Sequence, residues 1–210
     1  MNTKYPGKLI SLEGIDGSGK STLVKALSDK IRQLGHSVVL TKEHGGTPLG
    51  LQLRSLLHLR TNPMCDKSEF LIIAADRAQH FQQVVIPALA GGNLVISDRM
   101  NDSSMAYQGY GRGLDLAMIR TVNSWVMDNI KQDLIFFLDI DPQVALKRVL
   151  KRNEQLTAFE QEKLDFWQRV RAGYQEIFKG RLEVVTLDGT QSQEVLLAQA
   201  LKIIKERGLV

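Results

Sequence analysis

The chain has one cysteine, Cys65, in 210 residues. It can form no intramolecular disulfide and no cysteine-based zinc site, which fits a reducing compartment. It also has no apolar run near the roughly 20 residues needed to cross a bilayer. The opening Met1-Asn2-Thr3-Lys4-Tyr5-Pro6-Gly7 holds no signal-like hydrophobic segment. A soluble, cytoplasmic protein with no membrane partner is expected. Internal repeats and low-complexity tracts are absent. The balance of 43% hydrophobic to 24% charged residues is ordinary for a packed chain. At this length a single domain over residues 1–210 is expected. The formal charge of +4 and pI near 9.2 would suit a nucleic-acid binder, yet Lys and Arg are spread along the chain and form no tail. Such a charge also suits a protein that holds several phosphates, and no nucleic-acid partner is expected.

What is present is alternation. Five apolar runs read as buried strands: Leu9 to Leu12, Val38 to Leu40, Leu94 to Ile96, Leu134 to Leu138 and Leu182 to Leu187. Between them Thr22 to Leu34, Glu69 to Leu89, Leu116 to Ile130 and Val144 to Leu150 carry helical periodicity. Strand and helix in turn predict a parallel α/β sheet. Gly35 closes the first helix, Gly91-Gly92-Asn93 turns into a strand, and Asp141-Pro142 offers a cap followed by proline at the first helical position. Asn153 to Phe159 is polar and aperiodic, and reads as a mobile loop.

Gly14-Ile15-Asp16-Gly17-Ser18-Gly19-Lys20-Ser21, with Thr22 behind it, satisfies the P-loop pattern between a predicted strand and a predicted helix. Glycines let successive backbone N–H groups converge on phosphate oxygens, and the helix N-terminus adds a partial positive charge. Lys20 is placed to neutralise the β- and γ-phosphates of ATP, and the Ser21 hydroxyl to ligate Mg²⁺. The bland reading, a glycine-rich turn with an incidental lysine, is much the weaker.

A second cluster closes the third strand. Leu94 to Ile96 delivers Asp98 and Arg99 to its carboxyl end, where open α/β sheets bind ligands. Arg99 can clamp a phosphate, and Asp98 can orient Mg²⁺ or hold the arginine, against a bland reading of a surface ion pair. Arg77 sits in an apolar helical stretch where a charge needs a partner. A phosphate is the partner expected, the alternative being extension to solvent.

The run Asp98-Arg99-Met100-Asn101-Asp102-Ser103-Ser104-Met105-Ala106-Tyr107-Gln108-Gly109-Tyr110-Gly111-Arg112-Gly113 resembles the long signature of thymidylate kinases. The resemblance extends through Lys42-Glu43-His44-Gly45-Gly46-Thr47, Ala75-Asp76-Arg77, Asp165-Phe166 and Tyr174, most of the chain. It implies a P-loop NTPase fold with a five-stranded parallel sheet, helices on both faces, a lid at about residues 147–160, and a homodimer. It also implies conversion of dTMP and MgATP to dTDP and ADP. By the same resemblance Asp16 lies near the acceptor and its phosphate, Arg77 and Arg99 hold that phosphate, Ser104 and Gln108 face the thymine edge, and Tyr107 lies close to the sugar. Where the family has an aromatic residue that stacks on the base, this chain has Ile73, leaving aliphatic packing or Phe70 from another angle. Lys42-Glu43-His44 replaces the usual Arg-Glu-Pro, and Met100 follows Asp98-Arg99 where an aromatic or His is usual. The P-loop has Gly17 where some members carry arginine, and those members' cation comes from the lid here. Thr157-Ala158-Phe159-Glu160 supplies none, so Arg152, in the basic face of Lys147, Arg148, Lys151 and Arg152, is the expected source. The alternatives are a kinase for another pyrimidine nucleotide or a nucleoside, and a weakly catalytic nucleotide-binding regulator. Since Arg77 and Arg99 suit an acceptor bearing its own phosphate, the nucleoside is the weaker of these.

Overall fold

The computed structural model describes residues 5–59, 63–152 and 155–210. In chain order its elements are β1 (Lys8–Glu13), α1 (Lys20–Gln33), β2 (Val38–Lys42), α2 (Pro48–Leu59), α3 (Asp66–His80), α4 (Ile86–Ala90), β3 (Leu94–Asp98), α5 (Asn101–Ser104), α6 (Leu116–Val126), β4 (Leu134–Asp139), α7 (Pro142–Leu150), α8 (Leu164–Phe178), β5 (Val184–Asp188) and α9 (Gln193–Glu206). All five strands pair in parallel in the order β2-β3-β1-β4-β5. This is the α/β sheet that the alternation predicts.

Side chains along each strand alternate between two packed faces. Ile10, Leu12, Leu134, Phe136 and Leu138 lie with α1 and α9, while Ile135 and Phe137 lie with α7 and α8. Leu9 and Val95 pack under α4 with Phe81 and Val85. Both faces are covered, so the central strands read as nearly continuous apolar runs. Chain order reverses at β1, which sits between β3 and β4, and a crevice opens beyond its carboxyl end.

Several boundaries differ from the sequence reading. The helix expected over Glu69 to Leu89 is built as α3, a π-helical stretch Phe81–Val85, and α4. Pro87 has no N–H to give, and the wider turns before it absorb the break. α6 stops short of Ile130 because Asp128 and Asn129 take left-handed φ values of 51° and 56°. The last strand starts at Val184, since Leu182 is 89% exposed in the turn before it. α2 and α9 were not foreseen. In α2 the exposed Leu49, Leu51 and Leu56 blur the apolar stripe. The Asp141 cap forms as expected, accepting from the Gln143 amide at 2.8 Å. Among the described residues no helix is long and apolar enough to cross a membrane.

Candidate active site

The loop from Gly14 to Gly19 joins β1 to α1, and Gly14, Gly17 and Gly19 all take positive φ. At Gly17, φ is 81° and an added Cβ would strike the Ala145 carbonyl of α7, so only glycine fits. Ile15 and Ser18 are buried, Ile15 in the core beside α7 and α8, which anchors the loop on the sheet. Lys20 starts α1 with its Nζ donating to the Ile15 carbonyl at 2.8 Å and to Ser18 Oγ at 3.3 Å. Burial, then the charge of Arg99, pulls its ammonium down to about 8. A bound polyphosphate would offset both effects.

Ser21 donates its hydroxyl to Asp98 Oδ2 at 2.5 Å. The other carboxylate oxygen, Oδ1, is buried and has no hydrogen-bond partner. Among the described residues no group of three or more His, Cys, Asp or Glu could hold a metal. One hydroxyl and one orphaned carboxylate oxygen fit a hard cation that completes its shell with water and phosphate oxygens.

Arg99, with a left-handed φ of 71°, turns the chain off β3 and back towards the loop. Its guanidinium donates to Asp16 at 2.5 Å, Tyr107 at 3.1 Å, Gly14 O at 2.9 Å, Ser103 at 3.0 Å and Tyr174 at 3.1 Å. It lies 5.0 Å from the Tyr107 ring centre. Burial would raise the Asp16 carboxyl, but Arg99 and Lys20 hold it well below the usual carboxylate range. Asp16, Arg99 and Tyr107 thus form one unit beside the loop.

A cavity of about 350 Å³ continues from the loop past Arg99 to Ile73, Arg77, Ser104 and Gln108. Arg77 is 1% exposed, and its charge is met by Glu43 at 2.7 Å. It also donates to Ser104 at 3.0 Å, Asn123 at 2.6 Å and the Met100 carbonyl at 3.3 Å. The charge partner that the sequence reading looked for in a phosphate is therefore a buried glutamate. The neighbouring Asp76 does not pair with Arg77 and accepts from the Gly45 amide at 3.0 Å. Gln108 donates its amide nitrogen to buried Glu69 at 2.8 Å, which turns its carbonyl oxygen into its cavity-side group. Ile73 lines the cavity, but Phe70 does not: it packs with Met105 and Ile119 in the core. The expectation that Phe70 faces a base is corrected: although it stands one turn before Ile73 on α3, its side chain is taken up in packing against Met105 and against Ile119 of α6.

The lid expected over 147–160 begins on α7; Asn153 and Glu154 lie outside the described residues. Its basic face divides. Arg148 donates to the Gly189 carbonyl at 2.8 Å and to that of Gly17 at 3.5 Å, whereas Arg152 lines the cavity and pairs with Glu160 at 3.4 Å. Lys147 and Lys151 are exposed and away from the cavity. The Ala158 amide donates to the His58 carbonyl at 3.2 Å, and Phe159 closes the cavity with its ring 5.9 Å from that of Tyr107.

Sequence reasoning missed Arg54, His58 and Phe159 as cavity residues and noted His44 only as a replacement for proline; all four line the cavity. Arg54 of α2 donates to the His44 carbonyl at 2.8 Å. The His44 and His58 Nε2 atoms are 3.1 Å apart. Arg54 carried the same signal that singled out Arg77, a lone charge among leucines.

A phosphate-cradling loop, a buried lysine, a hydroxyl–carboxylate pair and an arginine across one cavity define a P-loop nucleotide kinase. The sequence profile described as Thymidylate kinase matches residues 12–200. The chain is 45% identical over 190 residues to a thymidylate kinase of Halothermothrix orenii, covering 90% of this chain and 91% of the relative. It is 44% identical over 200 residues to one of Acinetobacter baylyi, covering 93% and 98%. The corresponding figures for one of Desulfovibrio desulfuricans are 39% over 204 residues, 93% and 94%. The chain belongs to the thymidylate kinase family, ATP-dependent enzymes that phosphorylate dTMP to dTDP.

Proposed function

We propose that residues 1–210 form a single catalytic domain in which Lys20, Asp16, Arg99 and Arg152 carry phosphoryl transfer from ATP to dTMP. The supporting observation is the single cavity joining the P-loop to Arg99 and then to Arg77 and Gln108. ATP phosphates lie along the backbone of Gly14 to Thr22. The acceptor phosphate lies against Arg99 and Arg54, with Asp16 holding Arg99 in place between the two nucleotides. A phosphate oxygen of dTMP attacks the γ-phosphorus in line, the bond to the β-bridging oxygen breaks, and ADP leaves. No protein nucleophile is needed, and a phosphate already ionised needs no strong base. Lys20 and Arg152 offset the charge on the transferring group, and Phe159 shuts out water. Ser21 and Asp98 are the residues that would hold Mg²⁺, which when bound draws charge from the β- and γ-phosphate oxygens.

At the far end, an N–H of Arg77 suits a carbonyl oxygen on the base, and Gln108 Oε1 suits a ring N–H. Ser104 holds Arg77, Ile73 packs on the ring face, and Tyr107 stands by the sugar, where a 2′-hydroxyl is disfavoured. Leu71, Met118 and Trp125, 59%, 61% and 77% exposed on α3 and α6, support a homodimer through that side. Substrates of cytoplasmic nucleotide synthesis support a cytoplasmic place of action. The test is ADP release with MgATP and a panel of dTMP, dUMP, dCMP, UMP and thymidine. Strong preference for dTMP is expected. Equal rates with dCMP would overturn the base assignment, and thymidine turnover would overturn that of Arg99.

A further inference from the structure

Glu13, the last residue of β1, is fully buried and touches neither the loop's ligand face nor the cavity. Every group placed on its carboxylate is a donor: the Met100 amide at 2.7 Å, the Ser103 hydroxyl at 2.6 Å and the Tyr174 hydroxyl at 3.0 Å. Ser103 and Tyr174 are in turn two of the acceptors of Arg99, at 3.0 and 3.1 Å. Tyr174 is held in place, because its fully buried ring stacks on both Phe137 and Phe178, 5.4 and 5.6 Å off, in a cluster of three rings. A hydroxyl has a single proton. Spent on Glu13, or on the other hydroxyl across the 2.8 Å between Ser103 and Tyr174, it leaves only lone pairs towards the Arg99 guanidinium. Glu13 also anchors the amide that follows the left-handed Arg99.

We propose that Glu13 is a positioning residue for acceptor binding: its carboxylate orients the Ser103 and Tyr174 hydroxyls so that both accept from Arg99 and hold its guanidinium towards the acceptor phosphate. The inference rests on the assignment of Arg99 to that phosphate. A carboxylate is required and a carboxamide does not substitute. In Glu13→Gln, the oxygen that takes the Met100 amide survives, but an NH₂ group faces the two hydroxyls. They must then accept from it and turn their protons towards a cation.

Burial, then the charge of Asp102, raises the Glu13 carboxyl to about 7. The experiment is therefore steady-state kinetics run above that pH, where the carboxylate form prevails, varying dTMP and ATP separately, on Glu13→Gln, Tyr174→Phe, the double variant and Arg99→Ala. Glu13→Gln is expected to raise the KM for dTMP about tenfold, the scale of one hydrogen bond to a charged group, and to move the KM for ATP less than twofold. Tyr174→Phe is expected to raise the KM for dTMP less, and the double variant to be no worse than Glu13→Gln, since both act through one chain of contacts. A KM for dTMP unchanged in Glu13→Gln, or both KM values raised together, would overturn the inference while Arg99→Ala still impairs dTMP binding. If Arg99→Ala leaves the KM for dTMP unchanged, the phosphate assignment falls and this inference with it. Should Glu13→Gln not fold, Tyr174→Phe alone decides: an unchanged KM for dTMP overturns the inference.

Discussion

The Ser21 hydroxyl and the Asp98 carboxylate meet at 2.5 Å although 77 positions separate them. Parallel pairing of β1 with β3 brings them together, because Leu12 stands opposite Asp98 and the loop after β1 folds back over both. Asp98→Asn keeps the shape and removes the charge. The Mg²⁺ concentration for half-maximal rate is expected to rise about tenfold, as for loss of a ligand's or its partner's charge. An unchanged Mg²⁺ titration at saturating nucleotides would remove both residues from the metal site.

Lys20→Ala is expected to lower kcat about 100- to 1000-fold, the usual cost of deleting a group aimed at transition-state charge. Binding of dTMP, measured by calorimetry, is expected to survive. Loss of dTMP binding as well would mean that the variant disturbs Asp16 and Arg99, and kcat could not be assigned to phosphoryl transfer.

Arg54→Ala tests a residue that came from the structure alone. The KM for dTMP is expected to rise about tenfold, consistent with one lost charge-assisted hydrogen bond, with the KM for ATP within twofold of the parent. An equal effect on both substrates would place Arg54 among residues that shape the cavity and do not select its ligand.

The histidine pair sets a pH dependence of stability. Burial, then the charge of Arg54, pulls His58 down to about 4 and His44 well below its ordinary value. Between about 6.5, where an unfolded histidine titrates, and those depressed values, the unfolded chain binds protons that the folded chain refuses. Stability contributed by neutral histidines is therefore lost as pH falls through that window. The difference in Tm between parent and His58→Gln is expected to shift against the parent from pH 7 to pH 5. A pH-independent difference would show that His58 does not carry this linkage.

The architecture was legible because both-face burial writes strands as apolar runs, and Leu9, Leu94 and Leu134 all open strands close to where the runs begin. The loop was legible because phosphate binding demands glycine, lysine and a hydroxyl at fixed offsets. Arg77 was recognised as a charge in need of a partner, yet Glu43, which fills that need, is 34 positions away. Glu13 and Tyr174 are joined across 161 positions, a contact that no local period encodes. Phe159 read as loop because its packing on Tyr107 depends on a segment folding over the cavity. Phe70 and Ile73 are three apart on one side of α3, so periodicity does not separate them; what does is the distant packing of Phe70 on Met105 and Ile119.

The pairing of Arg77 with Glu43 divides the cavity into unlike halves. Around the loop Lys20, Lys42, Arg54 and Arg99 outnumber Asp16 and Asp98, whereas at the far end the buried cation is already cancelled. A nucleotide approaching this surface meets a potential that pulls on its phosphate and is indifferent to its base. Entry is thereby directional. The compartment that reads the ring works at near-zero net charge, where discrimination rests on the pattern of donors and acceptors and changes little with ionic strength, while capture of the phosphate weakens as salt is added.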